Sequence, residues 1–142
     1  QLFNETNDDV CLKSSRAIEY EIVPIVCVGE TLKEKENGKT NEVLSKQLED
    51  SIPISSNSDN TIIAYEPVWA IGTGLTPTLE EINKTHEFIK SYNPEFAKYK
   101  ILYGGSVKAG NAKEIVSLLN VDGVLIGGAS LKYDDFTKII TD

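Results

Sequence analysis

Glu66 stands where a short β-branched and aromatic run, Thr61-Ile62-Ile63-Ala64-Tyr65, meets a proline. The run reads as a buried strand. Pro67 has no N–H for a sheet ladder and restricts Glu66 away from the helical region, so pairing stops there and the strand ends on a carboxylate. The loop that follows is apolar at Val68, Trp69, Ala70 and Ile71, where connections are ordinarily polar. It also carries Gly72 and Gly74, which accept backbone conformations that other residues resist. This predicts a flap that closes over something, buries Trp69 and Ile71 against it and excludes water. Alone, a strand-end Glu is ordinarily a solvated or capping carboxylate; the flap beside it is what points to chemistry.

Two glycine turns follow later apolar runs. Ile101-Leu102-Tyr103 leads into Gly104-Gly105-Ser106-Val107, and Val124-Leu125-Ile126 leads into Gly127-Gly128-Ala129-Ser130. Gly-Gly pairs are ordinarily tight turns, but they also let a backbone approach a ligand closely, and a helix beginning beyond one presents N–H groups to an anion.

The elements that must hold these residues alternate. A helix is expected over 7–20, capped by Thr6 or Asn7, with Asp8 and Asp9 suiting its positive end and Val10, Ala17 and Ile18 giving an apolar stripe. A near-continuous apolar strand over 22–28 fits a sheet covered on both faces. A short helix or turn over 32–37 follows, then a helix over 41–51 whose Val43, Leu44, Leu48 and Ile52 share a face. After the flap, Thr76 and Pro77 read as the cap and first position of a helix with Leu79, Ile82 and Ile89 inward. His86, the single histidine, falls on this helix away from any strand end and reads as a partly exposed or core residue. Further helices are expected over 112–119 and 134–140, with strands over 101–103 and 124–126. One helix and then four strands each followed by helix indicate an α/β fold with a parallel sheet. In such sheets ligands sit at the carboxyl ends of the strands, where Glu30, Glu66, Gly104 to Ser106 and Gly127-Gly128 all fall.

Composition narrows the partners. The 142 residues, 40% hydrophobic, suffice for one core, and 14 Lys and Arg against 22 Asp and Glu give a net charge of −8. Nucleic acid and membrane surfaces are therefore poor partners, and an anionic ligand needs backbone N–H groups or a few placed cations. Cys11 and Cys27 lie in no C-x-x-C or Cys/His cluster, so neither zinc nor thiol-redox chemistry is supported. Within Ile25-Val26-Cys27-Val28, Cys27 is expected to be a small buried residue. No stretch reaches transmembrane length and no signal-like start is visible, so the cytoplasm is the default expectation. A first residue other than Met suggests part of a longer chain.

The stretch Ala64-Tyr65-Glu66-Pro67-Val68-Trp69-Ala70-Ile71-Gly72-Thr73-Gly74 closely resembles the catalytic glutamate and mobile lid of the triosephosphate isomerases, and the two glycine turns resemble their substrate-phosphate loops. The resemblance implies that Glu66 is the base moving a proton between adjacent substrate carbons through an enediol. It implies that Gly72 gives a lid N–H to the phosphate, Ser106 binds it and steadies the closed lid, and Gly127 and Gly128 complete the cradle. The substrate would be a small phosphorylated triose, with dihydroxyacetone phosphate and glyceraldehyde 3-phosphate interconverted without metal or organic cofactor. Glu30, in a matching Val26-Cys27-Val28-Gly29-Glu30, is expected to brace neighbouring loops.

The resemblance runs from about Phe3 to Ile140 and covers the second half of a (β/α)8 barrel, an architecture of typically about 250 residues. The family's lysine and asparagine after the first strand, its carbonyl-polarising histidine and the segment exchanged across its homodimer interface have no match, and His86 is not that histidine. The expectation is one partial domain over 1–142, the C-terminal portion of an isomerase, with two open sheet edges and an uncovered inner face. The alternatives are a half barrel that binds phosphorylated metabolites without turning them over, or a fragment that pairs its own edges.

Overall fold

The computed structural model describes residues 4–141. Residues 1–3, where the family resemblance begins at Phe3, lie outside the described residues. The helices are α1 (Asn7–Glu19), α2 (Leu32–Glu36), α3 (Thr40–Ser51), α4 (Leu79–Ser91), α5 (Ala112–Val116) and α6 (Tyr133–Thr141). The strands are β1 (Ile25–Val28), β2 (Ile62–Tyr65), β3 (Lys100–Tyr103) and β4 (Gly123–Val124), all pairing parallel in the order β1-β2-β3-β4. This is the expected α/β arrangement of four parallel strands with flanking helices.

Three helices start on the same local device. Thr6 with Asp9, Thr31 with Glu34 and Thr78 with Glu81 form capping boxes, in which each threonine hydroxyl accepts from the N3 backbone and each carboxylate accepts from the cap backbone. α4 is therefore capped by Thr78 and not by Thr76. Thr78-Leu79-Glu80-Glu81 satisfies two backbone donors at once, an advantage that Thr76 followed by Pro77 does not have.

β1 begins at Ile25, three residues later than expected. Ile22 and Val23 belong instead to the turn that ends α1, where Ile22 N–H donates to Ala17 O at 2.9 Å and Glu21 takes a φ of 57°. Pro24 then blocks any extension of the ladder by its own N–H. β4 is also displaced, to Gly123–Val124, although Leu125 N–H still reaches Tyr103 O at 2.9 Å. α5 stops at Val116 rather than continuing to Leu119.

Alternation along the strands divides the sheet into two faces. Val26, Val28, Ile63, Tyr65, Ile101 and Tyr103 are buried in the core that Leu44 and Leu48 of α3 and Ile82 and Ile89 of α4 complete. On the other face Ile25 pairs with Ile62 and Cys27 with Ala64, and both Ile25 and Cys27 are exposed. Cys27 is thus not the buried residue expected. Its neighbours Val26 and Val28 take the covered face, and the opposite face is only partly covered among the described residues, Ala64 being buried there and Ile25 and Cys27 exposed. Unpaired edges of β1 and β4 complete the open half-sheet that the sequence predicts.

His86 is a core residue, fully buried and edge-on to the Tyr65 ring at a centroid distance of 5.9 Å. Neither ring nitrogen has a hydrogen-bond partner among the described residues. Burial pushes the imidazole down to about 4 from its ordinary 6.5, with the nearby Asn120 backbone and Asp122 favouring the charged form and Lys90 opposing it. Between those values an unfolded chain binds a proton that the folded chain refuses. Stability is consequently full above about pH 6.5 and falls as the pH drops toward 4, by about 3 kcal/mol over the window. Urea midpoints at neutral and acid pH for the chain and for His86→Phe measure this. The variant is expected to lose markedly less stability on acidification, and parallel losses would contradict it.

Candidate active site

Because the strands are parallel, their carboxyl ends open on one side. There, β2 delivers Glu66, β3 runs into Gly104-Gly105-Ser106 and the chain after β4 into Gly127-Gly128. These ends enclose a cleft of about 820 Å³ lined by Glu66, Gly72, Gly104, Ser106, Gly127 and Gly128. All five residues singled out from the sequence, Glu66, Gly72, Ser106, Gly127 and Gly128, therefore meet in one cavity.

Glu66 is held by its backbone and hemmed in by glycines. Its N–H donates to Val28 O at 2.7 Å, and on the other side Gly104 N–H donates to Tyr65 O at 2.8 Å. A Cβ added at Gly104 would lie 2.5 Å from Glu66 Cγ and 2.7 Å from Oε1, so the absent side chain is what gives the carboxylate its place. At Gly127 or Gly128 an added Cβ would meet no protein atom within 4 Å, so nothing crowds those backbones.

Glu66 is half-buried, and that burial pushes its carboxyl above the ordinary 4.5, while the neighbouring Cys27 thiol works in the opposite direction. A base with a raised value accepts a proton more readily and loses its ionised form at a higher pH. Catalysis through Glu66 is accordingly expected to fail on acidification at a pH above 4.5. The acid limb of kcat/KM against pH reads this, and a midpoint at or below the ordinary carboxylate value would contradict the burial argument.

The flap starts from a braced root. Glu30 is 1% exposed; its carboxylate accepts from the Trp69 indole N–H at 3.0 Å and the Tyr65 hydroxyl at 3.2 Å, and its backbone oxygen accepts from Val68 N–H at 2.9 Å. This is the bracing role expected for it. Val68–Ala70 forms one turn of 3-10 helix, with Ala70 buried and Ser106 Oγ donating to its carbonyl at 2.5 Å. Ser106 thus joins the β3 loop to the flap root. Gly72 and Gly74 have φ of 67° and 81°, values that L side chains rarely adopt.

The flap differs from the expectation in where its apolar residues go. Ile71 is 44% exposed and Trp69 is half-buried with its N–H turned toward Glu30. A buried indole N–H needs an acceptor, and the Glu30 carboxylate is one.

Lys108 and Lys132 also line the cleft, and neither forms an ion pair among the described residues. They supply the local positive charge that the acidic chain otherwise lacks. Both are legible in the sequence as lysines placed directly after Gly104-Gly105-Ser106-Val107 and Gly127-Gly128-Ala129-Ser130-Leu131. Asp135 stands on the same wall as an opposing charge. No three His, Cys, Asp or Glu among the described residues are grouped so as to hold a metal ion, and no described helix is long and apolar enough to cross a membrane.

The family model for triosephosphate isomerase matches residues 1–142. The triosephosphate isomerase of Rhizobium meliloti (strain 1021) is 52% identical over 132 residues, covering 89% of this chain and 52% of that protein. That of Bartonella tribocorum is 49% identical, covering 97% of this chain and 56% of its relative. The crystal structure of triosephosphate isomerase from Bartonella henselae matches with a TM-score of 0.89 at 41% identity, over 99% of this chain and 58% of the other. The chain spans about half the length of the curated relatives it matches, and its sheet is the corresponding part of a TIM barrel. Sequence, fold and the position of the Glu66 motif agree: the chain belongs to the triosephosphate isomerase family.

Proposed function

We propose that this chain carries the base and phosphate-binding portion of a triosephosphate isomerase, acting where the remaining barrel length of its relatives is also supplied. The observation that carries the reading is a half-buried strand-end carboxylate with raised basicity sharing one cleft with a glycine-hinged flap and two glycine loops. In the forward direction Glu66 takes a proton from C1 of dihydroxyacetone phosphate, giving an enediolate; a proton passes from the C1 hydroxyl to the C2 oxygen, and Glu66 returns its own proton to C2, leaving glyceraldehyde 3-phosphate and the free carboxylate. The Gly72, Gly127 and Gly128 backbones and the Ser106 hydroxyl hold the phosphate, and Lys108 and Lys132 draw it in against the net charge of −8. Lid closure removes water from around the base. The enediolate oxygen needs a donor as well, which is usually the largest catalytic contribution. His86 cannot supply it from the core, so the reading requires residues beyond this half-sheet.

The same proposal treats residues 1–142 as one partial domain, places the complete enzyme in the cytoplasm and makes it a homodimer as in the family. A second reading has its own support. The exposed Ile25 and Cys27 and the open edges of β1 and β4 suit a fragment that pairs with itself or with a complementary half. Isomerase assays with glyceraldehyde 3-phosphate test both, on the purified chain alone and mixed with a polypeptide completing the barrel, with Glu66→Gln as control. Activity only in the mixture, lost in the variant, is the expected result. Phosphate binding that survives Glu66→Gln without turnover in either sample would favour a non-catalytic binding module.

A further inference from the structure

The Trp69 ring is held on its face as well as at its edge. Lys35 Nζ lies 3.9 Å from the ring centroid, and the same ammonium is 3.0 Å from Glu81 Oε1. Trp69 sits where the chain enters the flap, and Glu81 in the first turn of α4, where the chain has just left it. Lys35 itself is on α2, the helix that follows Glu30. One cation therefore touches both ends of a segment whose middle, at Ile71 and Leu75, is exposed.

We propose that Lys35 is a positioning residue for the lid, fastening its entry at Trp69 and its exit at Glu81 so that movement is confined to the residues between. This rests on reading that segment as a lid over the anion cleft. The carboxylate fixes the ammonium, which would otherwise swing on a flexible stem, and the fixed ammonium holds the electron-rich face of the indole. Glu81 is in turn oriented by the capping box with Thr78, so the position of the α4 N-terminus and the tilt of Trp69 are coupled. The positive φ of Gly72 and Gly74 places the bendable backbone between the two fastenings.

The chain has a single tryptophan, so its fluorescence reports on this site without turnover. Acrylamide quenching is measured for the unaltered chain and for Lys35→Met, Lys35→Arg and Glu81→Gln. Methionine keeps the stem without the charge, arginine keeps charge and ring contact, and glutamine retains the reach needed for the capping box. The expected result is a quenching constant about twofold to fivefold higher in Lys35→Met, a rise in the same direction in Glu81→Gln, and a value near the unaltered chain in Lys35→Arg. Circular dichroism checks that each variant is folded, and Glu81→Gln carries the test should Lys35→Met not fold. Unchanged quenching in both charge-removing variants would overturn the clamp even if the chain is an isomerase. A rise with rescue by arginine, in a chain that turns over no triose phosphate even when mixed with a polypeptide completing the barrel, would uphold the clamp and overturn the isomerase reading alone.

Discussion

Shortening Glu66 to Asp is expected to lower the turnover of glyceraldehyde 3-phosphate by about a hundredfold or more in the completed enzyme, because a base withdrawn by roughly 1 Å loses its near-attack position. KM is expected to move little. The residues proposed to hold the phosphate, Gly72, Ser106, Gly127 and Gly128, lie elsewhere on the cleft wall and do not depend on the carboxylate. The loss should therefore appear in kcat and kcat/KM together, as for an interaction made only in the transition state. The environment leaves the shorter side chain no simple way to recover. Glu66 N–H is tied to Val28 O at 2.7 Å, so the backbone of residue 66 cannot advance toward the cleft without breaking the ladder. Steady-state kinetics of Glu66→Asp with glyceraldehyde 3-phosphate make the measurement, and unchanged turnover would remove Glu66 from the role of base.

The parts of this site that the sequence discloses are those whose local chemistry is unusual. A carboxylate followed by proline and an apolar loop, or a Gly-Gly-Ser after a strand, stands out because ordinary connections do not look like that. What stays hidden depends on residues distant in sequence. The burial of Glu30 is made possible by Tyr65 and Trp69, more than thirty residues further on, and nothing around Glu30 announces those partners. The exposure of Cys27 is of the same kind. A four-residue apolar run gives the alternation of faces but not which face is covered, and that is decided by α3, α4 and whatever lies against the other side. The start of β1 fails for a local reason, since Ile22 and Val23 are strand-like by type while Pro24, which ends their chance of pairing, stands in plain view. At α4 two capping signals competed, and the reciprocal Thr78 and Glu81 pair prevailed over a proline preference.

The requirement at Gly29 is also hidden, and it leads to the largest expected effect on stability. A Cβ there would lie 1.8 Å from Glu66 O, 2.4 Å from Glu66 C and 3.1 Å from Pro67 N, all backbone atoms. At Gly104 the obstructed group is a side chain that can rotate away; at Gly29 no rotation relieves the clash. The two strand ends are pinned around it by Glu66 N–H to Val28 O at 2.7 Å and Val68 N–H to Glu30 O at 2.9 Å. Gly29 is further gripped by the Gln47 amide, which accepts from its N–H at 2.8 Å and donates to its carbonyl at 3.1 Å. Accommodating a methyl group means separating β1 from β2 at these bonds and loosening Glu30 beneath the flap root. Overpacking of this severity together with two weakened hydrogen bonds gives an expected destabilisation of about 3–5 kcal/mol for Gly29→Ala, a large share of what holds a typical domain folded. Gly110→Ala is the matched control, because an added Cβ there meets nothing within 4 Å. Urea unfolding followed by Trp69 fluorescence should show Gly29→Ala melting far earlier than Gly110→Ala. Equal midpoints would mean that β1 and β2 separate at their carboxyl ends without cost, and that Glu66 is not fixed by the ladder.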